Sequence, residues 1–127
     1  MTDLYNISQP PTCILSAIVH IGNIIMSTVF QAAFIFVAPH ADPSRDVSWV
    51  RTEKVHVKTI AVSSYQQACE LIDSLVEEGI EAVELCAGFG HQGVADVVKA
   101  ANNRLHVGVV RFDKHPCLDF ASGDELF

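Results

Sequence analysis

The chain has 127 residues, half of them apolar and 18% charged, and carries a formal net charge of −7 from eight Lys and Arg against fifteen Asp and Glu. That is one domain's worth of core and too apolar for disorder over most of its length. The acidic balance, with its basic residues scattered, argues against a nucleic-acid groove or an anionic membrane surface as partner, because either needs positive charge gathered on one face.

The N-terminal part reads unlike the rest. Between Asp3 and Asp42 there is no Lys, Arg, Asp or Glu, and Cys13–Val37 approaches the length of a membrane span. It carries Ser16, His20, Gly22, Asn23, Ser27, Thr28 and Gln31, however, and lacks the positive start of a secretory signal. Pro10-Pro11 and the absence of a clear period mark residues 1–25 as an extension outside the core, so that one domain is expected over 26–127.

The first expected element of that domain is the apolar run Gln31–Ala38, which suits a strand buried on both faces. Pro39-His40 stops it. Asp42 followed by Pro43 pairs an N-cap with a first-turn proline and predicts a short helix over Pro43–Arg51. Val55–Val62, rich in β-branched residues, is the second strand. Ser64 with Gln67 is a capping box, and Ala68, Leu71, Ile72, Leu75 and Val76 are the apolar stripe of the helix behind it, which Gly79 ends. Ala82–Cys86 is the third strand. A second amphipathic helix carries Val94, Val97, Val98 and Ala101 and stops at Asn102-Asn103, and His106–Phe112 is the fourth strand.

Strands alternating with helices imply βαβ units with right-handed crossovers. The expected fold is therefore α/β: a four-strand, mostly parallel sheet with helices on both faces, like a small Rossmann or flavodoxin-type domain. In such sheets ligands bind beyond the carboxyl ends of the strands. Four loops meet there, at Pro39-His40, Ser63-Ser64, Gly88–Gly93 and Asp113–Pro116.

Gly88-Phe-Gly90-His91-Gln-Gly93 fits GxGxxG after a strand and before a helix, with Asp113 twenty residues beyond Gly93. The glycines would let backbone approach an anion held by the free N–H groups of the helix start. A dinucleotide needs a second βαβ half, for which the remaining chain is too short. The expectation is thus a smaller anion, with Gly88, Gly90, His91, Gly93, Arg111 and His40 as ligand-binding candidates. No cofactor is specified. Cys86, beside the turn, and His91, Asp113 and His115 are the candidates for nucleophile or proton carrier. Their spacing matches no metal signature, and ordinary loop histidines and a buried cysteine are the plainer reading. Glu84 and Arg111 each interrupt an apolar strand and are expected to pair, since an isolated buried charge is costly.

AAFIFVAP (32–39), ADP (41–43), ELCAGFGHQGVA (84–95), VGVVRFDKHP (107–116) and SGDELF (122–127) together resemble an uncharacterised family of small bacterial and archaeal proteins, a domain of unknown function. The resemblance runs from about Val29 to the C-terminus and implies a compact α/β domain, with no activity attached. Ala87 and Cys117 stand where the family pattern leads one to expect glycine. Two functions follow as expectations: binding of a small anionic molecule at the carboxyl-end loops, with or without catalysis, or a non-catalytic homo-oligomeric interaction module. Four cysteines without CxxC spacing suit a reduced, cytoplasmic protein, and a homo-oligomer is expected in either case.

Overall fold

Apolar runs too short for helices, separated by helix signals, make the parallel strands of a sheet here. The computed structural model describes residues 29–127 in full and, before them, only the backbone of two short strands. Those are β1 (Ile18–Ile21) and β2 (Ile24–Ser27), paired antiparallel with each other. The rest of the expected extension 1–25 lies outside the described residues.

The core sheet has five strands: β3 (Phe30–Val37), β4 (Val47–Arg51), β5 (Val55–Val62), β6 (Ala82–Leu85) and β7 (His106–Val109), in the order β4-β5-β3-β6-β7. The four expected strands are the parallel ones, and β4 is added antiparallel on the β5 edge. The sheet is therefore mixed and five-stranded. Among the described residues the α-helices are α1 (Tyr65–Glu77) and α2 (His91–Ala101). Ser64 caps α1 by accepting from the Gln67 amide, whereas the Gln67 side chain, expected to close a capping box on Ser64, accepts from the Ser63 amide and hydroxyl instead; Gly79 leaves the helix at φ 84°.

The helix expected over Pro43–Arg51 is a turn followed by β4. Asp42 does bind backbone, but locally: its Oδ1 accepts from the Ser44 amide and hydroxyl, and its carbonyl takes the Arg45 and Asp46 amides. Val47-Ser-Trp-Val-Arg51 then pairs with the exposed edge of β5, which a short isolated helix cannot do. Sheet pairing outweighed a cap signal worth only about 1 kcal/mol.

This substitution decides the layering. Both remaining crossovers, β5 to β6 and β6 to β7, run the same way across the sheet, so right-handedness puts α1 and α2 on one face. They pack on each other there. The helices thus lie on one face, not both, because the connection that would have supplied the opposite face is β4. Ala33, Ile35, Ile60, Val62, Val83 and Leu85 meet Ala68, Ile72, Leu75, Val97 and Ala101 in one buried cluster. Each large side chain buried there contributes about 1.5–3 kcal/mol. Alternation turns Ala32, Phe34 and Phe36 of β3 to the other face, with Val57 of β5 and Val50 of β4.

Candidate functional site

Beyond the carboxyl ends of β3 and β6 the backbone is closely packed, and the glycines show why. A Cβ on Gly88 would lie 2.7 Å from Val37 Cγ1, one on Gly93 2.6 Å from the Tyr65 ring, and one on Gly90 2.4 Å from the Asp124 carboxyl. Opposite them, a Cβ on Gly123 would fall 1.8 Å from the Gly88 carbonyl oxygen. The C-terminal tail therefore lies directly on the glycine turn. Ser122 and Glu125 form a reciprocal capping box around the single 3-10 turn Gly123–Glu125, which sets Asp124 at the start of α2.

Asp124 occupies the place expected for an anion. Its carboxylate accepts from the Gln92 amide through both oxygens at 3.1 Å and from the Gly93 amide at 3.3 Å. Partial burial disfavours its charge, but the amides, the Tyr65 hydroxyl and nearby His91 outweigh it and hold the carboxyl below its ordinary range. Tyr65 is the post behind this arrangement. Its hydroxyl accepts from the Gly90 amide at 3.0 Å and lies within donating distance of Asp124 Oδ1 (3.1 Å) and the Gly88 carbonyl (3.3 Å). Its ring stacks on Phe89 and touches Phe127. Burial, foremost, pushes the phenol up to about 12.

Beside this plug, between the first turn of α2 and the chain leaving β7, a cleft of about 450 Å³ remains open. Phe89, Val94, Val109, Val110 and Phe112 wall it, with Gly90, His91, Arg111, Asp113 and Ser122 as its polar lining. Arg111 lines it with a side chain that is 60% exposed. Its Nε donates to Asp113 Oδ1 at 2.9 Å, and its Nη2 lies 2.8 Å from the same oxygen and 3.0 Å from His91 Nε2. A guanidinium has only donors, so in this contact His91 Nε2 accepts.

Of the residues singled out from sequence, Gly90, His91, Arg111 and Asp113 come together at this cleft. Gly88 and Gly93 are spent on internal packing. His40 is exposed in the left-handed region (φ 62°) of the β3–β4 loop, where its carbonyl accepts from Arg45, and does not line the cleft. Cys86 is half-buried and its Sγ accepts from the Gly88 amide. His115 Nδ1 accepts from the Cys117 amide, and its ring stands edge-on to Phe112. Among the described residues no three of His, Cys, Asp and Glu converge as a metal-ligand set.

The expected Glu84–Arg111 pair does not form. Glu84 registers opposite Gly108 on the face away from α1 and α2, whereas Arg111 lies past the end of β7 and pairs with Asp113. Strand-end geometry, which spacing does not carry, moved Arg111 off the sheet. Glu84→Gln and Arg111→Met should each change stability by under about 1 kcal/mol and add in the double variant, as measured by urea unfolding. A coupling well above that would restore the pair.

Sequence reasoning missed Asp124, Tyr65 and the apolar wall. The Ser122-x-x-Glu125 spacing was a legible signal for the tail turn. Nothing near Tyr65 foretold its contact with residues 23 and 59 positions away.

Residues 30–125 match a family of unknown function, DUF6506. The chain belongs to that family. The match takes in the whole core sheet, both helices and the tail through Glu125, so the DUF6506 unit includes the Asp124 plug and every residue lining the cleft. No curated protein and no solved structure matches the chain significantly. Among the described residues no helix is long and apolar enough to cross a membrane.

Proposed function

We propose that the domain binds a small anionic molecule in the cleft beside α2, with the Arg111 guanidinium taking the anionic group. The observation that carries this reading is Arg111 in the lining of a mostly apolar cleft, held by Asp113 and His91, which a ligand carboxylate or phosphate can replace. A concave, mostly apolar cavity with a few convergent polar groups is the usual form of such a site. The helix start is not part of it, because Asp124 already takes the Gln92 and Gly93 amides. Chemistry in the cleft would fall to His91 and Asp113, since neither Cys86 nor His115 lines it.

Thermal-shift measurements with a panel of small carboxylates, phosphates and sulfates test this. At least one acid should raise the melting temperature at millimolar concentration, and Arg111→Met should remove the rise. No shift across the panel, or one that survives Arg111→Met, defeats the reading.

A second reading, self-association, is favoured by the sheet face on which none of the described helices lies. Phe34, Phe36 and Val57 lie on it beside Val50, which is 62% exposed. Apolar surface of this kind is commonly covered by a partner. Sedimentation of the full chain measures the mass, and a monomer at high concentration ends this reading.

A further inference from the structure

The cleft's chemistry narrows the class of ligand, an inference that rests on the binding reading above. We infer that the cleft takes a monocarboxylic acid with an aromatic or branched apolar body, in preference to a phosphate or a nucleotide.

The charge count comes first. Among the residues lining the cleft, Arg111 is the one Lys or Arg, and it already shares its guanidinium with Asp113. Asp124 adds a second carboxylate on the adjoining turn, and its hold on the Gln92 and Gly93 amides takes away the backbone donors that normally cradle phosphate. A doubly charged phosphoryl group would face one cation, two carboxylates and a chain of net charge −7. A carboxylate needs less. Its two oxygens match the paired N–H groups of one guanidinium, so it can take the place of Asp113 on Arg111 while bringing one negative charge into the cleft where a phosphoryl group brings two. His91 lies 3.0 Å from the same guanidinium nitrogen and flanks that position.

The walls define the body of the ligand. Val109, Val110 and Phe112 are 49%, 46% and 53% exposed, and all three face the cleft with Phe89 and Val94. Large apolar side chains left half in water around one concavity gain most from an apolar occupant. Acetate would leave them wet; a phenyl or branched alkyl group would cover them. A cleft of about 450 Å³ holds such a molecule.

Titration of the full chain by calorimetry, with ¹⁵N-labelled protein to locate the site, separates the possibilities. The probes are phenylacetate, 4-methylpentanoate, acetate, phenylacetamide, phenyl phosphate and inorganic phosphate. Phenylacetate or 4-methylpentanoate should bind, with shifts at His91, Val110 and Phe112. Acetate and phenylacetamide should each bind at least about tenfold more weakly, as should both phosphates. Arg111→Met should abolish binding without changing the melting temperature much, and Arg111→Lys should recover part of it. Binding of phenyl phosphate or inorganic phosphate as tight as that of phenylacetate overturns the carboxylate assignment while leaving the anion-binding reading intact. Equal binding of phenylacetamide overturns the assignment and the role of Arg111 with it. Silence from every probe overturns both.

Discussion

Gly123→Ala should lower stability by about 3 kcal/mol and the melting temperature by roughly 10 °C, the largest effect expected from any single methyl group in the tail. The new Cβ would fall 1.8 Å from the Gly88 carbonyl oxygen and 2.8 Å from the Tyr65 hydroxyl. The first is backbone, held in a turn whose Phe89 amide bonds to the Cys86 carbonyl, so it has little room to yield. The cheaper response is for the tail to lift off. That releases Asp124 from the start of α2, parts Phe127 from Tyr65 and opens the covered ends of β3 and β6. Gly108→Ala is the matched control. Its Cβ would meet only Glu84 Cγ, at 3.9 Å, which is ordinary contact, and its effect should stay within about 0.5 kcal/mol. Thermal and urea unfolding of the two variants measure the difference. A Gly123→Ala protein that melts like Gly108→Ala would mean that the tail does not pack on the glycine turn.

Asp124→Ala is the second large effect, about 1–2 kcal/mol near neutral pH. Asp124 is exposed at the surface, so its value lies in the hydrogen bonds it accepts from two α2 amides and not in a buried charge. The α2 helix has no other side-chain cap, because Gly90 stands at its N-cap. The loss should also depend on pH in a definite direction. The folded state holds the Asp124 carboxyl below its ordinary value, so the unfolded chain takes up the proton first as pH falls. The contribution is therefore fully present above about pH 5, and it drains away as pH drops below about 4 and through the folded value. The stability gap between wild type and Asp124→Ala should narrow over that window. Asp124→Asn, which keeps one acceptor oxygen, should fall between the two at pH 7. A gap that stays constant from pH 7 to pH 3 would show that the charge of Asp124 has no part in capping α2.

The tail also changes how the glycine motif is understood. Gly88, Gly90 and Gly93 have the spacing of a phosphate-binding turn, and the local physics is that of one: close backbone approach, free amides and a helix start. The chain meets that demand internally, with a carboxylate from its own C-terminus. A ligand is then left with the cleft beside the turn, where Arg111 and the apolar wall lie.

Local spacing along the chain encodes the individual elements. The β-branched run Val55–Val62, the 3.6-residue stripe from Ala68 to Val76, the Ser64 cap and the Gly79 stop each specify their element through neighbours within a few residues, and each forms as read. The α/β class followed from the same signals, whereas the family resemblance rested on the motifs within 32–43, 84–95, 107–116 and 122–127. Tertiary structure decided what depends on distant partners. Val47–Arg51 became a strand because β5 offered unpaired edge groups, and the loss of that one helix put both remaining helices on a single face. Arg111 left Glu84 because β7 ends at Val109, a boundary set by where pairing with β6 runs out. Asp124 reached the start of α2 across 32 residues of chain, since an orphaned amide donates to a carboxylate that folding delivers, whatever its distance in sequence.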